Sequence, residues 1–367
     1  LLEREGDSAG AVRALEQAVR WNPYNAAALV DLALHWELAG DAARAERALL
    51  QAQRVDGGAA THWALVNFYL RQGVDERFWR AMQTALRRSR SNLDPAFALC
   101  WRASNDPNEI LKKGLPDDPE VHRAYFAFLA GRGQKNALDA LWQRLAPRLE
   151  ARDLEPALRY AEVLLQDRQW EAALRVWNRL CESGLMSYQT LDPAQGRLLT
   201  NGQFRIAPSG LAFDWRLAPL DGAFTEVIRA GSESALQVNF SGAHPENMEL
   251  FWQWLPVEPD RSYRLRLRYR TAGLPPQTGL RWSLSVEAPG KKAERWASPS
   301  LAAREEWTAW QATFPSGSGS RLARLVFSYQ REPGTTRAQG AVELLGVELV
   351  PAERGAAPAT PPAGAGS

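Results

Sequence analysis

Four histidines, two cysteines and a few carboxylates are the first places to look for chemistry in this sequence. A general acid or base must sit against a partner that tunes its pKa, and a nucleophile needs such a base beside it. His35, His62 and His122 lie in the tryptophan-bearing first part of the chain, two of them next to Trp36 and Trp63, where packing is the expected role. His244 stands alone in the second part. There is no Gly-x-Ser-x-Gly elbow, phosphate-binding glycine loop or His-Glu-x-x-His helix. The carboxylates Glu305 and Glu306 are adjacent, so on extended chain they point apart, and a glycosidase pair needs convergence. Asp214 and Asp221 fall in loop-like segments, where solvation or turn hydrogen bonding is expected. Cys100 and Cys181 make neither a disulfide framework nor a zinc spacing. No catalytic residue, metal ligand set or cofactor is assigned, and the expected activity is binding.

Binding residues are easier to find. In SYRLRLRYR (262–270), Tyr263, Leu265, Leu267 and Tyr269 share one parity, while Arg264, Arg266, Arg268 and Arg270 share the other. That alternation is a half-buried strand with a row of guanidinium groups on its outer face. Just upstream, LFWQWLPV (250–257) puts Phe251, Gln253, Leu255 and Val257 inward and Trp252 and Trp254 outward. If the two segments form a hairpin about Pro259-Asp260-Arg261, Trp254 faces Arg266 and Trp252 faces Arg268, a Trp/Arg ladder. Such a face suits sugar rings, acidic ones above all. It equally suits an interface with the preceding helices, or a plain solvated strand whose arginine stems cover two indoles.

The elements that must position these residues divide the chain by hydrophobic period. The 367 residues, 45% apolar and 23% charged with a formal net charge of +2, are enough for two cores. Basic and acidic residues balance on both sides of residue 190, which argues against a nucleic-acid partner. No apolar run reaches the ~18 residues of a membrane span. In the first part, Gly40-Asp41 repeats Gly6-Asp7, Ala45 repeats Ala11, Leu49 repeats Leu15 and Ala52 repeats Ala18, always at an offset of 34. Leu29-x-x-Leu32-Ala33-x-x-Trp36, with Ala45-x-x-x-Leu49 after it, resembles the tetratricopeptide repeat, whose units are helical hairpins stacked into a solenoid. The pattern loosens after Gly73, where Asp94-Pro95, Asp106-Pro107 and Pro116 to Pro119 interrupt it. It returns as a stripe through Tyr125, Leu129, Ala137, Leu141 and Leu145, and again in 160–180. The resemblance implies a protein partner held in a concave groove, with Val30, Leu34, Glu37, Ala64, Phe68 and Arg71 as candidate lining.

After Gly184 the period becomes 2. SALQVNF, LFWQWLPV, YRLRLRYR, LRWSLSV, WQATF, LVFSY and AVELLGVELV read as strands of an antiparallel β-sandwich. LLTNGQFRI (198–206), PSGLAFDWRL, SALQVNF, VEPDRSYRLRLRYR and EEWTAWQATF follow one another in an order that resembles family 4/9 carbohydrate-binding modules, galactose-binding-like jelly rolls. LLTNGQFRI corresponds there to an opening strand. The resemblance implies polysaccharide binding by the sandwich. It also departs at a structural calcium site: the acidic first-strand position is Arg205, and the acidic segment near the last strand is Leu345-Gly346-Val347, so no metal is expected there. Of the 15 tryptophans, Trp215, Trp282, Trp307 and Trp310 suit the sandwich core. The expected layout is an α-solenoid over 1–186, a linker over 187–195, a jelly-roll sandwich over 196–351 and a Pro/Ala/Gly tail over 352–367. The expected function is a non-catalytic scaffold, with repeats on a protein partner and sandwich on glycan, in bacterial exopolysaccharide assembly or export. The alternative is a protein-only scaffold whose sandwich caps the solenoid. The chain opens at Leu1 without methionine, so an upstream anchor would place it at the cell envelope, with the cytoplasm as the other compartment.

Overall fold

Asp41 and Asp75, one 34-residue period apart, do the same job: each side chain accepts a backbone N–H of the first turn of the helix that follows it. In the computed structural model, which describes residues 8–89, 92–286, 294–317 and 321–352, that capping organises the first part of the chain. The helices there are α1 (Ser8–Trp21), α2 (Ala26–Leu38), α3 (Ala42–Val55), α4 (Ala59–Gln72) and α5 (Glu76–Arg88). They continue with α6 (Asp94–Ala103), α7 (Pro107–Glu109), a π-helical turn at Ile110–Gly114, α8 (Pro119–Gly131) and α9 (Leu138–Leu145). The small residues of the repeat pattern, Ala33, Ala45 and Ala52, are fully buried between helices, as is Leu49. Of the prolines that loosen the pattern, Pro95, Pro107 and Pro119 sit in the first turns of α6, α7 and α8, where a missing N–H costs nothing, so they start helices and thereby shorten them; Pro116 lies in the turn ahead of α8. The stripe expected over 120–146 is split, because Ala137 takes a left-handed conformation before α9.

The chain divides into two compact units, Leu1–Arg148 and Leu149–Ser367. The second unit thus begins with two helices, α10 (Leu154–Gln166) and α11 (Trp170–Glu182), ahead of the strands. Ten strands follow among the described residues: β1 (Arg216–Leu217), β2 (Ala223–Ala230), β3 (Glu233–Ser241), β4 (Asn247–Pro256), β5 (Ser262–Ala272), β6 (Leu280–Val286), β7 (Glu294–Ala297), β8 (Thr308–Pro315), β9 (Leu322–Gln330) and β10 (Gln339–Pro351). They make two five-stranded antiparallel sheets, ordered β1-β4-β9-β6-β7 and β2-β3-β10-β5-β8, packed as a jelly-roll sandwich. The core between them includes Trp215, Phe251, Leu255, Tyr263, Leu265, Leu267, Trp282 and Phe327. The tail expected over 352–367 lies, from residue 353 on, outside the described residues.

Two expectations about local structure are corrected. LLTNGQFRI is not a strand: Asn201 and Phe204 have positive φ, which breaks extended chain, although Leu198 and Phe204 still bury themselves in the core. The second correction concerns β4 and β5, which do not pair. Val257 N donates to Arg321 O, beside β9, while Arg261 O accepts from Ser316 N, beside β8. Residues 257–261 therefore carry the chain across from one sheet to the other. Alternation decides which face of a strand looks inward, but it is satisfied equally by pairing in one sheet and by facing across the core.

His244 illustrates how the sandwich uses its one histidine. The ring is fully buried, edge-on to Tyr329 at 4.7 Å, and neither ring nitrogen has a hydrogen-bond partner among the described residues. Burial first, and the Arg337 charge second, hold its pKa below the usual histidine value. A histidine with a lowered folded pKa binds its proton more readily in the unfolded chain. Stability is therefore lost as pH falls below the unfolded value of about 6.5 and until the folded group itself titrates. His244→Phe removes this dependence, so the gap in urea midpoint between wild type and variant should move in favour of the variant between pH 7 and pH 5. A pH-independent gap would show that His244 is solvated in solution.

Candidate functional site

The predicted ligand set is divided between opposite faces of the sandwich. Trp252 and Trp254 project from the outer face of the β1-β4-β9-β6-β7 sheet, both half-buried, their rings edge to face at 5.5 Å. Their arginine neighbours are not those of β5. Trp252 lies opposite Arg216 on β1 and Trp254 opposite Arg324 on β9. The Arg216 and Arg324 guanidinium carbons stand 4.3 and 3.9 Å from the Trp252 ring centroid. Each guanidinium is held by a carboxylate, Arg324 by Glu249 and Arg216 by Glu162 of α10. Burial pulls the Arg216 pKa down while Glu162 works against it. A Trp/Arg cluster thus exists, but Trp252 is already stacked against cations from its own unit and offers no open platform to a sugar ring.

The arginines of β5 project from the other sheet. Arg270 Nε and Nη2 both donate to Glu343 of β10, at 2.8 and 2.7 Å. Glu343, only 9% exposed, also accepts from Gln237 Nε2 of β3 at 3.0 Å, and Gln237 Oε1 accepts from Asn239 Nδ2 at 2.9 Å. On the other side, the Arg270 guanidinium lies 5.0 Å from the Trp307 ring. Asn239, Gln237, Glu343, Arg270 and Trp307 therefore form one connected run across the three central strands of an open sheet face. Trp307, expected in the core, is half-buried beside this face instead, because it sits ahead of β8 and outside its inward parity; Trp215 and Trp282 are fully buried in the core and Trp310 packs against its rim.

Next along β5, Arg268 pairs with Glu233 at 2.6 Å. Arg266 lies in register with Gln311 of β8 and Glu348 of β10, and Arg264 with Thr313 and Val350. Neither the Arg264 nor the Arg266 side chain makes a hydrogen bond or ion pair among the described residues. Beside them β10 bulges: Leu345 opposes Arg268 and Glu348 opposes Arg266, with Gly346 and Val347 between. Gly346 takes a left-handed φ of 64°, and Val347 N donates to Gly202 O. Gly202 is required there, since a Cβ would collide with the Val347 carbonyl. The bulge leaves a cleft of about 570 Å³ lined by Gln203, Arg266, Arg268, Trp310, Gln311 and Glu348, among others. This is where Leu345-Gly346-Val347 comes to lie; Arg205 is exposed. Among the described residues no group of three or more His, Cys, Asp or Glu is placed to hold a metal ion.

In the helical unit, two candidate groove residues meet. Arg71 Nε and Nη2 donate to the two carboxylate oxygens of Glu37, at 2.8 and 2.7 Å, a bidentate pair one period apart. The pair holds the Glu37 carboxyl below its usual pKa. Leu34 is 48% exposed, and Val30 and Ala64 are half-buried. Phe68 does not line a groove: it is 2% exposed and packed on Tyr69, because α4 has neighbours in α2, α3 and α5. His62 and His122 are buried, and burial raises both thiols, Cys100 and Cys181, to a pKa of about 12, which disfavours the nucleophilic thiolate. Asp214 is buried too, accepting from the backbone N–H groups of Ser209 and Trp215.

The signal for the polar run was present as parity. Gln237 and Asn239 alternate with Leu236, Val238 and Phe240, and Glu343 alternates with Val342 and Leu344. What adjacency lacked was the strand order that puts β10 between β3 and β5.

No family model matches the chain, and no curated protein does. Among solved structures the sandwich is similar to a family 4 carbohydrate-binding module, at 12% identity over 41% of this chain and 98% of that one, with a TM-score of 0.31. It is also similar to a family 61 module in complex with β-1,4-galactotriose, at 15% identity over 38% and 88% with a TM-score of 0.26. A third is the family 11 module from Clostridium thermocellum in complex with a β-1,3-1,4-mixed-linked tetrasaccharide, at 13% identity over 37% and 88%, TM-score 0.27. These likenesses concern the sandwich architecture and say nothing of a ligand.

Proposed function

We propose that this protein is a non-catalytic adaptor whose β-sandwich binds glycan on the outer face of the β2-β3-β10-β5-β8 sheet. In this reading the helical unit, taken as tetratricopeptide-type, holds a protein partner. The observation that carries the glycan reading is the connected run from Asn239 to Trp307. Sugars present hydroxyls that both donate and accept, on rings whose C–H faces are apolar. A row of amide, carboxylate and guanidinium groups held rigid by mutual hydrogen bonds, with an indole at its end, meets both needs with little ordering cost on binding. Exopolysaccharide assembly or export at the cell envelope is a setting in which such an adaptor would act. No helix among the described residues is long and apolar enough to cross a membrane.

The second reading, a protein-only scaffold, is favoured by a different observation: the Trp252 face is tied through Arg216 to Glu162 of α10, so that side of the sandwich serves its own helices. Affinity electrophoresis of the intact chain through gels containing β-glucan, xylan or polygalacturonate separates the two. Retardation is expected in at least one gel. Gln237→Ala and Trp307→Ala should weaken it on the order of tenfold, as central contacts do, while Trp252→Ala leaves it unchanged. Unretarded migration in all three gels would leave the protein-only scaffold standing.

A further inference from the structure

Resting on the glycan reading above, we infer that the ligand is an anionic, carboxylate-bearing polysaccharide, and that Arg264 and Arg266 are the residues that read its charge. Four arginines share the outer face of β5, and the fold treats them in two ways. Arg270 and Arg268 are neutralised internally, by Glu343 and Glu233. Among the described residues Arg264 and Arg266 have no such partner, whereas Arg216, Arg261, Arg281, Arg324 and Arg331 each have a carboxylate. Two unpaired guanidiniums two residues apart on one strand face lie about 7 Å from each other. A planar fork that is always charged and has no internal acceptor is suited to a carboxylate brought by a ligand, since the pair can form two parallel N–H···O bonds.

The surroundings define the rest of the ligand. Around Arg264 the cross-strand neighbours are Thr313 and Val350, with no carboxylate to compete. Around Arg266 they are Gln311 and Glu348. Glu348 is exposed and lies across from Arg266 without forming an ion pair, which leaves it as an acceptor for a sugar hydroxyl. Both arginines are continuous along β5 with Arg270, which belongs to the polar run ending at Trp307. A chain of sugars laid along β5 would thus meet charge-paired hydrogen-bonding groups at one end and unpaired guanidiniums at the other. The net charge of the whole protein, +2, is too small to attract polyanions by itself, so any preference must be local.

The test uses the intact chain in affinity gels at 150 mM salt, with polygalacturonate, fully methyl-esterified polygalacturonate, dextran sulfate and polyglutamate as probes. Esterification caps the carboxylates and leaves the sugar skeleton intact. Retardation by polygalacturonate is expected, at least tenfold weaker in the esterified form and in the Arg264→Gln/Arg266→Gln variant. Trp307→Ala should weaken binding to both forms. Equal binding of both forms, lost in Trp307→Ala, would overturn the inference and leave the glycan reading intact. Retardation by polyglutamate or dextran sulfate equal to that by polygalacturonate would overturn it as simple ion exchange. No retardation by either form of polygalacturonate also overturns it, and the β-glucan and xylan gels then decide the glycan reading separately. Circular dichroism of the double variant, both of whose substitutions lie on a solvent-facing strand face, establishes that any loss is one of binding and not of fold.

Discussion

Residues 196–352 expressed alone are expected to fail to fold, while residues 149–352 fold cooperatively. The reason is what α10 and α11 contribute to the sandwich. Trp177 of α11 is fully buried, stacked on Tyr188 at 5.9 Å and edge-on to Phe213 at 5.9 Å. Phe213 and Ala212 are themselves fully buried in the segment leading to β1. Asn178 fixes the connecting chain from both sides, accepting from Leu191 N at 2.8 Å and donating to Leu191 O at 2.9 Å. Glu162 of α10 accepts from Ala212 N at 3.0 Å as well as from Arg216. Removing the two helices would expose an aromatic cluster and strand a half-paired arginine at the first strand of a sheet. Within the intact chain, Trp177→Ala isolates the packing part of this effect and should cost about 3–5 kcal/mol. Near-UV circular dichroism against urea measures it. A loss below about 1 kcal/mol, or a folded 196–352 fragment, would mean that the helices merely adjoin the sandwich.

These two helices also separate what hydrophobic period decides from what it leaves open. The switch of period after Gly184 located the end of α11 at Glu182 and the start of non-helical chain. Within 160–180, Tyr160, Ala161, Leu164, Ala173, Trp177 and Leu180, which stand at the positions where the tetratricopeptide pattern has its packing residues, are all buried. Seven strand segments were legible from their apolar pattern: strands such as β5 alternate because one face is in the core and one in water, while LVFSY of β9 is buried on both faces. The three that were not legible, β1, β2 and β7, are short or lie at sheet edges, where neither face needs a clean apolar row. Periodicity also says nothing about which elements share a unit. A tryptophan at a repeat position can be buried by the next repeat or by a loop of a sandwich, and the pattern is the same in both cases.

For the candidate site the same distinction holds. Parity correctly put Trp252, Trp254 and the β5 arginines on outer faces, since the inward sets Phe251, Leu255 and Tyr263, Leu265 are unambiguous. Their mutual contact was a separate inference, from sequence adjacency, and it failed because residues 257–261 cross between sheets. Arg216 and Glu343, the actual partners of Trp252 and Arg270, come from strands remote in sequence or too short to announce themselves. A polar run built from three non-consecutive strands becomes visible only with the strand order.

Glu162→Leu is expected to destabilise the second unit by about 3 kcal/mol, and Glu162→Leu/Arg216→Met by much less. Arg216 and Glu162 have side chains only 12% and 21% exposed, so solvent screens them little. Taking away Glu162 leaves Arg216 charged, largely desolvated and near a second cation, Arg324, both stacked on the same indole. The cation–π contacts cannot replace the lost carboxylate, since each contributes on the order of 1–2 kcal/mol even when desolvated. Replacing both partners by apolar side chains removes the desolvation penalty together with the attraction, and the methionine still covers Trp252. Urea midpoints of the two variants give the ordering. If the single variant costs as little as an exposed pair, under about 1 kcal/mol, then water reaches Arg216, and α10 is held to β1 by the Ala212–Glu162 hydrogen bond and the Trp177 cluster instead. If the double variant is no better than the single one, the pair's value lies in geometry that only charge can impose: Glu162 bridging Ala212 N and Arg216 so that β1 is presented to β4 in the one register that places Arg216 over Trp252.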